Sequence, residues 1–207
     1  MGNAEHWNTV YGAREEHALT WFETEASLSL QLANEWSTPD AHIIDVGGGA
    51  SRFVDGLLAR QQAQITVLDL SAEALARSRE RLGGAAAKVE WIAADITTWQ
   101  PKQQWTLWHD RAVFHFLTER DQRHAYVRAM EAGLAPEGIA IIATFAPDGP
   151  EKCSNLPVMR WSSEALAAEL DALAPDTFQL VASHRHIHIT PKGNQQPFEV
   201  SVFKRVD

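Results

Sequence analysis

The run HIIDVGGGASR, residues 42–52, decides the fold of this chain. An apolar segment ends in an acid, passes through three glycines and continues into a segment typical of a helix. A second apolar segment, VLDL at residues 67–70, contains another acid near its end. The pattern predicts a strand, a tight glycine turn, a helix and a second strand whose end carries a carboxylate. This unit suits a nucleoside, because glycines admit a ligand close to the backbone and the second acid binds ribose hydroxyls.

The spacing of the glycines argues against a dinucleotide turn. The fingerprint G-x-G-x-x-G fails when counted from Gly47, because its sixth position is Arg52. It also fails from Gly48, because its third position is Ala50. No arrangement for hydride transfer follows, so a nicotinamide oxidoreductase is disfavoured. The motif that remains reads D-x-G-x-G-x-S and begins at Asp45.

In this motif the chain resembles the class I S-adenosylmethionine (SAM) dependent methyltransferases, whose turn reads acid-x-Gly-x-Gly-x-Gly. Ser51 stands at the place of the third glycine, a small departure that still allows a close approach. Asp69 follows 22 residues after Gly47, near the offset of about 20 expected for the ribose-binding acid. The glycines alone also fit a strand–helix turn in which they serve geometry only, and the second acid weighs against that interpretation.

Composition limits the class of protein. The 207 residues suffice for one α/β domain, and 45% apolar with 22% charged residues is typical of a globular protein. No apolar run is long enough for a membrane span, and no signal region opens the chain. A single cysteine, Cys153, excludes an internal disulfide and favours a cytoplasmic location. The net charge of −9 argues against a nucleic-acid partner.

Segments alternate in the order expected of a mostly parallel sheet covered by helices. An N-terminal arm at 5–12 leads to a helix near 21–36. Strands are predicted at 41–46, 64–70, 88–93, 104–110 and 139–145, and helices at 51–62, 72–82, 119–134 and 162–173. Ser71 and Ser162 are predicted N-caps. Two β-rich runs, 178–190 and 197–206, are joined by a turn at 191–194.

The resemblance covers nearly the whole chain from Trp7 onward and implies its architecture. The expected fold is an α/β three-layer sandwich with a mostly parallel seven-strand sheet in the order 3-2-1-4-5-7-6, strand 7 being antiparallel. Residues 1–207 are expected to form a single SAM-dependent methyltransferase domain. Within it, residues 1–36 form an arm and helix that act as a lid, and residues 37–207 form the Rossmann-like core.

The resemblance also assigns cofactor contacts to the ends of the strands. Gly47 and Gly49, after Asp45, let the methionine and ribose portions of SAM touch the backbone. Asp69 accepts hydrogen bonds from both ribose hydroxyls, and Leu70 follows it along the pocket. The alternative for Asp69 is a helix N-terminal charge beside Ser71.

Two further cofactor contacts are implied after the third strand. Asp95 stands where the family accepts a hydrogen bond from the adenine amino group. Ile96 covers the base, and its backbone N–H meets a ring nitrogen. The alternative for Asp95 is an N-cap of a loop.

The N-terminal arm carries Trp7 and Tyr11, which resemble the W-x-x-x-Y arm of many small class I methyltransferases. There the aromatic pair closes over the cofactor, and aromatic faces favour a sulfonium cation. Trp21 and Phe22 are expected to add a second aromatic wall. The alternative is an amphipathic arm that packs on the edge of the sheet.

The fourth strand ends in Asp110 and Arg111, with His115 shortly after. Asp110 is predicted to be both a cofactor contact and a catalytic group, and His115 a catalytic base or substrate contact. Arg111 is predicted to contact substrate. The alternatives are a structural Asp–Arg pair and a histidine that caps a buried turn.

The segment 145–161 after the fifth strand is the expected substrate reporter, being rich in proline and too irregular for a helix or strand. Phe145, Cys153 and Arg160 are its predicted substrate contacts. Cys153 is alternatively an apolar filler, and Arg160 half of a surface ion pair.

Three histidines, His184, His186 and His188, alternate along one predicted strand and share one face. They are spaced too widely for one metal ion, since residues four apart on a strand lie about 13 Å apart. We interpret them as a solvated or dimer-facing stripe and predict no metal site.

The chain is thus predicted to transfer a methyl group from SAM to a small-molecule nucleophile and to release S-adenosylhomocysteine (SAH). The partner is a small molecule, with no nucleic acid and no membrane expected, and the protein is a monomer or homodimer. One alternative is a protein-lysine methyltransferase of the same fold, which an acidic surface permits. Another is a non-catalytic SAM-binding partner or regulatory protein.

Overall fold

A computed structural model describes residues 2–13, 15–62 and 64–207. Its main sheet has seven strands in the order β3-β2-β1-β4-β5-β9-β8. These strands are β1 (His42–Val46), β2 (Gln64–Asp69), β3 (Val89–Ala93), β4 (Trp105–Arg111), β5 (Leu134–Phe145), β8 (Phe178–Ile189) and β9 (Gln195–Arg205). The first five are parallel, and β9 runs antiparallel to both β5 and β8. The predicted strand order and the reversed last strand are confirmed.

Helices cover both faces of this sheet, which confirms the three-layer α/β arrangement. They are α1 (Ala4–Gly12), α2 (Ser27–Trp36), α3 (Phe53–Ala59), α4 (Ala72–Leu82), α5 (Arg120–Gly133) and α6 (Ser163–Leu173). Leu30 of α2, Phe53 of α3 and Leu75 of α4 belong to one buried apolar cluster. Met130 of α5 and Leu166 of α6 belong to a second cluster against the other face. Within the described ranges no helix has the length and apolar character to cross a membrane.

Local sequence explains where several helices begin. The side chain of Ser71 accepts a hydrogen bond from the backbone N–H of Ala74, and that of Ser162 accepts one from Ala165. Both predicted N-caps are confirmed. Each cap follows a chain segment that leaves the sheet, so the helix N-terminus lies near the end of a strand.

The N-terminal segment differs from its prediction. The arm is a helix, α1, whereas the helix expected near 21–36 begins only at Ser27. Residues 21–26 have no regular structure, and of these six only Ala26 is buried. The aromatic pair Trp21-Phe22 therefore stands in a loop, which lets Trp21 reach the cavity described below.

Two other segments are more ordered than their sequence suggests. Strand β5 begins at Leu134 rather than at residue 139. Its pairing with β4 shifts register between Trp105 and Leu107, and Glu137 in this part of β5 has a φ of 64°. The irregular segment 145–161 contains a short hairpin of β6 (Lys152–Cys153) and β7 (Leu156–Pro157). The prediction that this segment lacks strands is wrong.

Candidate active site

A cavity of about 790 Å³, its open mouth included, lies at the carboxyl ends of the parallel strands and under α1. Two neighbouring cavities are smaller, at about 350 and 340 Å³. The large cavity is lined by Trp7, Tyr11, Trp21, Val46, Gly47, Leu68, Asp69, Leu70, Ala94, Ile96, Arg111, Ala112, Val113, Phe116, Phe145, Cys153, Gln196 and Phe198. A ligand is expected at this end of an open α/β sheet.

The glycine turn forms one wall of the cavity. Gly47 has a φ of 71°, and a Cβ there would overlap Val113 Cγ2. Gly49 has a φ of 35°, and a Cβ there would lie 2.7 Å from Asp69 Oδ2 and 3.0 Å from the Tyr11 hydroxyl. Both positions therefore require glycine, because any side chain would meet the groups that border the cavity.

Asp69 lies at the end of β2 and is the acidic group of the cavity wall. Its carboxylate is 7% exposed, and Oδ1 accepts a hydrogen bond of 2.7 Å from the backbone N–H of Ser71. Burial raises the pKa of Asp69 to about 7, and the nearby charge of Asp45 acts in the same direction. Leu70 follows Asp69 on the cavity wall.

Helix α1 brings aromatic rings to this end of the cavity. The Trp7 ring centroid lies 6.4 Å from that of Tyr11, 5.9 Å from that of Trp21 and 5.2 Å from that of Phe116. The hydroxyl of Ser71 also donates a 2.7 Å hydrogen bond to Asn8 Oδ1. Helix α1 is thus attached directly to the loop that carries Asp69.

Two predicted cofactor acids do not line the cavity. Asp45 is buried behind the glycine turn, where its Oδ1 lies 2.7 Å from Nδ1 of His109. Asp95 uses Oδ1 to accept hydrogen bonds from the backbone N–H and the hydroxyl of Thr97, at 2.9 and 2.7 Å. Ile96, beside Asp95, does line the cavity.

Asp110 lies behind the cavity wall rather than on it. Its carboxylate accepts hydrogen bonds from the backbone N–H groups of Val113 (2.8 Å) and Phe114 (3.0 Å) and from the Tyr126 hydroxyl (2.7 Å). Burial raises its pKa to about 6 despite these hydrogen bonds. The geometry does not bring Asp110 to the position predicted for a catalytic or cofactor contact. It instead holds the turn after β4, whose Val113 faces Gly47.

His115 is fully buried beneath the aromatic floor of the cavity. Its Nδ1 accepts a 3.3 Å hydrogen bond from the backbone N–H of Phe145, and its Nε2 has no partner. Burial lowers the pKa of His115 to about 3, and the charge of Arg111 acts in the same direction. The ring is neutral at ordinary pH and is not on the cavity wall, so the geometry does not favour the predicted role of general base.

Arg111 lines the cavity but is held by the N-terminal segment. Its guanidinium donates hydrogen bonds to the Trp21 carbonyl (3.2 Å) and to Glu23 Oε1 (3.1 Å), and it lies 5.1 Å from the Phe198 ring centroid. Its ionic partner is therefore Glu23 and not the neighbouring Asp110.

Glu23 also binds two of the three alternating histidines. Its Oε1 lies 3.4 Å from His188 Nδ1 and 3.7 Å from His186 Nε2. Burial alone would raise the pKa of Glu23, but the hydrogen bonds of His186 and His188 and the charge of Arg111 outweigh it, and the pKa lies well below its ordinary value. His188 is buried and contacts the Thr20 carbonyl at 2.8 Å. The solvated or dimer-facing stripe is thus wrong, because this face of β8 receives the N-terminal segment.

The remaining predicted substrate contacts divide between the cavity and the surface. Phe145 and Cys153 line the cavity, and burial raises the pKa of the Cys153 thiol to about 12. Arg160 lies outside it and contacts the Gly149 carbonyl and Glu151. Across residues 2–13, 15–62 and 64–207 no group of three histidine, cysteine or acidic residues is placed to hold a metal ion.

Sequence reasoning missed Phe116, Gln196 and Phe198 on the cavity wall. Phe116 stands one residue after His115, and Phe198 pairs with Phe145 across β5 and β9. The alternation of β9 places Gln196 and Phe198 on one face, but nothing in the sequence says that this face meets the cavity.

Comparison with known proteins agrees with this geometry. Residues 43–138 match the family model of the methyltransferase domain. The chain is 29% identical to Nodulation protein S of Bradyrhizobium diazoefficiens over 133 residues, which is 64% of this chain and 59% of that protein. It is 28% identical to trans-aconitate 2-methyltransferase of Rhodopseudomonas palustris over 126 residues, 60% of this chain and 46% of that protein. The matched part thus spans roughly half the length of these curated relatives.

A solved structure extends the likeness to the whole fold. The N-methyltransferase NodS of Bradyrhizobium japonicum, in complex with SAH, superposes with a TM-score of 0.74 at 15% identity and full coverage of both chains. The protein has the fold of the class I SAM-dependent methyltransferases. Within that fold, residues 43–138 are the part that is similar to the methyltransferase-domain family model.

Proposed function

We propose that the protein is an active methyltransferase that transfers the methyl group of SAM to a small-molecule nucleophile. The observation that carries the proposal is the buried carboxylate of Asp69 on the cavity wall, facing a turn that only glycines can form. A carboxylate at the end of the second strand is the group that receives ribose hydroxyls in nucleoside-binding α/β folds. The name of trans-aconitate 2-methyltransferase, a relative, also indicates a small-molecule acceptor for that protein.

The residues of the cavity fit SAM. We assign the ribose hydroxyls to Asp69, and Gly47 borders the ligand without a side chain. Gly49 does not line the cavity, but its lack of a side chain leaves space for the Asp69 carboxylate and the Tyr11 hydroxyl. Ile96 and Leu70 supply apolar cover for a base. Trp7 and Tyr11 present aromatic rings from the lid, which favour a cationic sulfonium. When bound, SAM supplies an activated methyl group for an in-line displacement.

The chain contributes alignment and exclusion of water rather than a strong base. The lid and the aromatic rings close the cavity above the strand ends, which removes water from a reaction that disperses charge. Asp110 is engaged by three hydrogen bonds, and His115 is buried and neutral. We therefore propose that the acceptor atom is nucleophilic without deprotonation by a side chain of the cavity.

Labelled SAM added to purified protein and a cell lysate tests the acceptor class. We expect label in the small-molecule fraction and none in protein bands. Label in protein bands would favour the protein-lysine alternative. Binding of SAM without transfer to either fraction would favour a non-catalytic SAM-binding protein.

A further inference from the structure

The part of the cavity beyond the glycine turn, here called the acceptor end, is walled by Trp21, Phe116, Phe145, Cys153, Gln196 and Phe198. Four of these six side chains are aromatic. The rings of Phe145 and Phe198 pack edge to face with centroids 4.8 Å apart. Aromatic walls of this kind favour a flat ring, which stacks on a face or meets an edge.

Among the residues that the structure describes, the acceptor end offers no unpaired charge to a ligand. Arg111, the cation on the wall, is already bound by Glu23 and by the Trp21 carbonyl and lies against the Phe198 ring. The Cys153 thiol is neutral because burial raises its pKa to about 12. A charged acceptor would lose its hydration here without gaining a counter-ion, which disfavours both anions and cations.

Gln196 is the polar group at this end that remains available. Its side chain lines the cavity, and within the described parts of the chain no hydrogen bond engages its amide. An amide donates and accepts at once, so it is complementary to another amide edge. Gln195, the preceding residue on β9, is exposed on the opposite side of the strand.

We propose that the acceptor is a flat, uncharged ring compound with an amide-like edge, such as a lactam, and that Gln196 recognises that edge. The methyl group goes to an amino nitrogen elsewhere on the compound, whose free lone pair forms the C–N bond as the S–C bond of SAM breaks and whose proton is then lost to water. The proposal rests on the proposed function, because it assumes that SAM occupies the Asp69 end. It differs from a carboxylate acceptor such as the one that the name of the relative trans-aconitate 2-methyltransferase indicates. Gln196 is then a specificity residue, since its amide pairs with a lactam but not with a purely apolar ring.

Binding of four probes of matched ring size to the protein saturated with SAH tests this proposal. The probes are 2-quinolone (neutral, with a lactam edge), naphthalene (neutral, apolar), quinoline-2-carboxylate (anionic) and protonated 4-aminoquinoline (cationic). We expect 2-quinolone to bind about tenfold more tightly than either charged probe. It is expected to bind about fivefold more tightly than naphthalene, the value of one hydrogen bond. Ligand-observed NMR titrations give the four dissociation constants.

Two matched variants test the part of Gln196. Gln196→Met is expected to remove the advantage of 2-quinolone over naphthalene while leaving the binding of naphthalene and SAH unchanged. Gln195→Met, one residue away on the exposed side, is expected to change none of them. The proposal is overturned if a charged probe binds as tightly as 2-quinolone, if no ring compound binds, or if Gln196→Met leaves the ranking intact. Failure of SAH itself to bind would instead contradict the proposed function, and this inference with it.

Discussion

The two ends of the cavity are built in different ways. The cofactor end comes from short stretches next to neighbouring parallel strands, the glycine turn after β1 and the Asp69 loop after β2. The acceptor end combines the turn after β4, β5, β9, the β6–β7 hairpin and the loop before α2. At the first end a carboxylate is left available to a ligand. At the acceptor end, the charged side chains of Arg111 and Glu23 form an ion pair with each other. Under our proposals, the fold recognises the cofactor by a charged group and the acceptor by shape and a neutral amide.

The largest expected effect comes from Gly47→Ala at the cofactor end. The new methyl group overlaps Val113, and the φ of 71° is unfavourable for alanine. Strain and overlap together weaken SAH binding about a hundredfold. Gly84→Ala is the matched control, because a Cβ there meets nothing within 4 Å. Calorimetric titration of both variants makes the comparison, and equal affinities would show that the turn does not border the ligand.

The substitution Glu23→Gln tests whether the acceptor end can be altered without affecting the cofactor end. The amide leaves Arg111, His186 and His188 without their shared anion, so the free energy of unfolding falls by about 1–3 kcal/mol. SAH affinity is expected to stay unchanged, since Glu23 does not line the cofactor end. Glu25→Gln, exposed two residues away, is the control in urea denaturation. A loss of SAH affinity that matches the loss of stability would break the division between the ends.

The pH dependence of SAH binding probes the Asp69 carboxylate. Its pKa of about 7 in the ligand-free protein means that the ionised acceptor form is scarce at pH 6 and abundant at pH 8. The affinity for SAH is expected to rise about tenfold between those pH values.

The raised pKa of Asp69 has the opposite effect on the stability of the protein. The free energy of unfolding without ligand falls as pH rises from about 4 to about 7, because the folded state binds more protons.

Both pH effects are expected to vanish in Asp69→Asn, which does not titrate. Calorimetry and urea denaturation at matched pH values measure them separately. A flat affinity profile in the unaltered protein would mean that another group receives the ribose.

The smallest effect is expected at the link between lid and cofactor loop. Asn8→Ala removes the acceptor of the Ser71 hydroxyl and weakens SAH binding by about 0.5–1.5 kcal/mol. Because Ser71 also caps α4, a double-mutant cycle with Ser71→Ala isolates the pair. Full additivity of the two substitutions would show that the lid does not act through this hydrogen bond.

The same contrast explains how much the sequence could predict. Gly47, Asp69 and the strand order follow from patterns of consecutive residues, since each strand end is fixed by its own segment. The pairing of Arg111 with Glu23 joins residues 88 positions apart, and no local pattern indicates it. Asp110 stands at a strand end like Asp69. Its lone pairs are taken up by the following turn and by Tyr126, which lies 16 residues further on.

A calorimetric titration of SAH into the unaltered protein, Asp69→Asn and Asp40→Asn tests the central claim most directly. Asp40 is exposed in the turn before β1 and serves as the matched control. We predict binding to the unaltered protein and to Asp40→Asn, and an affinity about thirtyfold weaker for Asp69→Asn, since a buried charged hydrogen-bond acceptor is lost. No binding to the unaltered protein, or equal binding to all three, would contradict the assignment of this cavity to the cofactor.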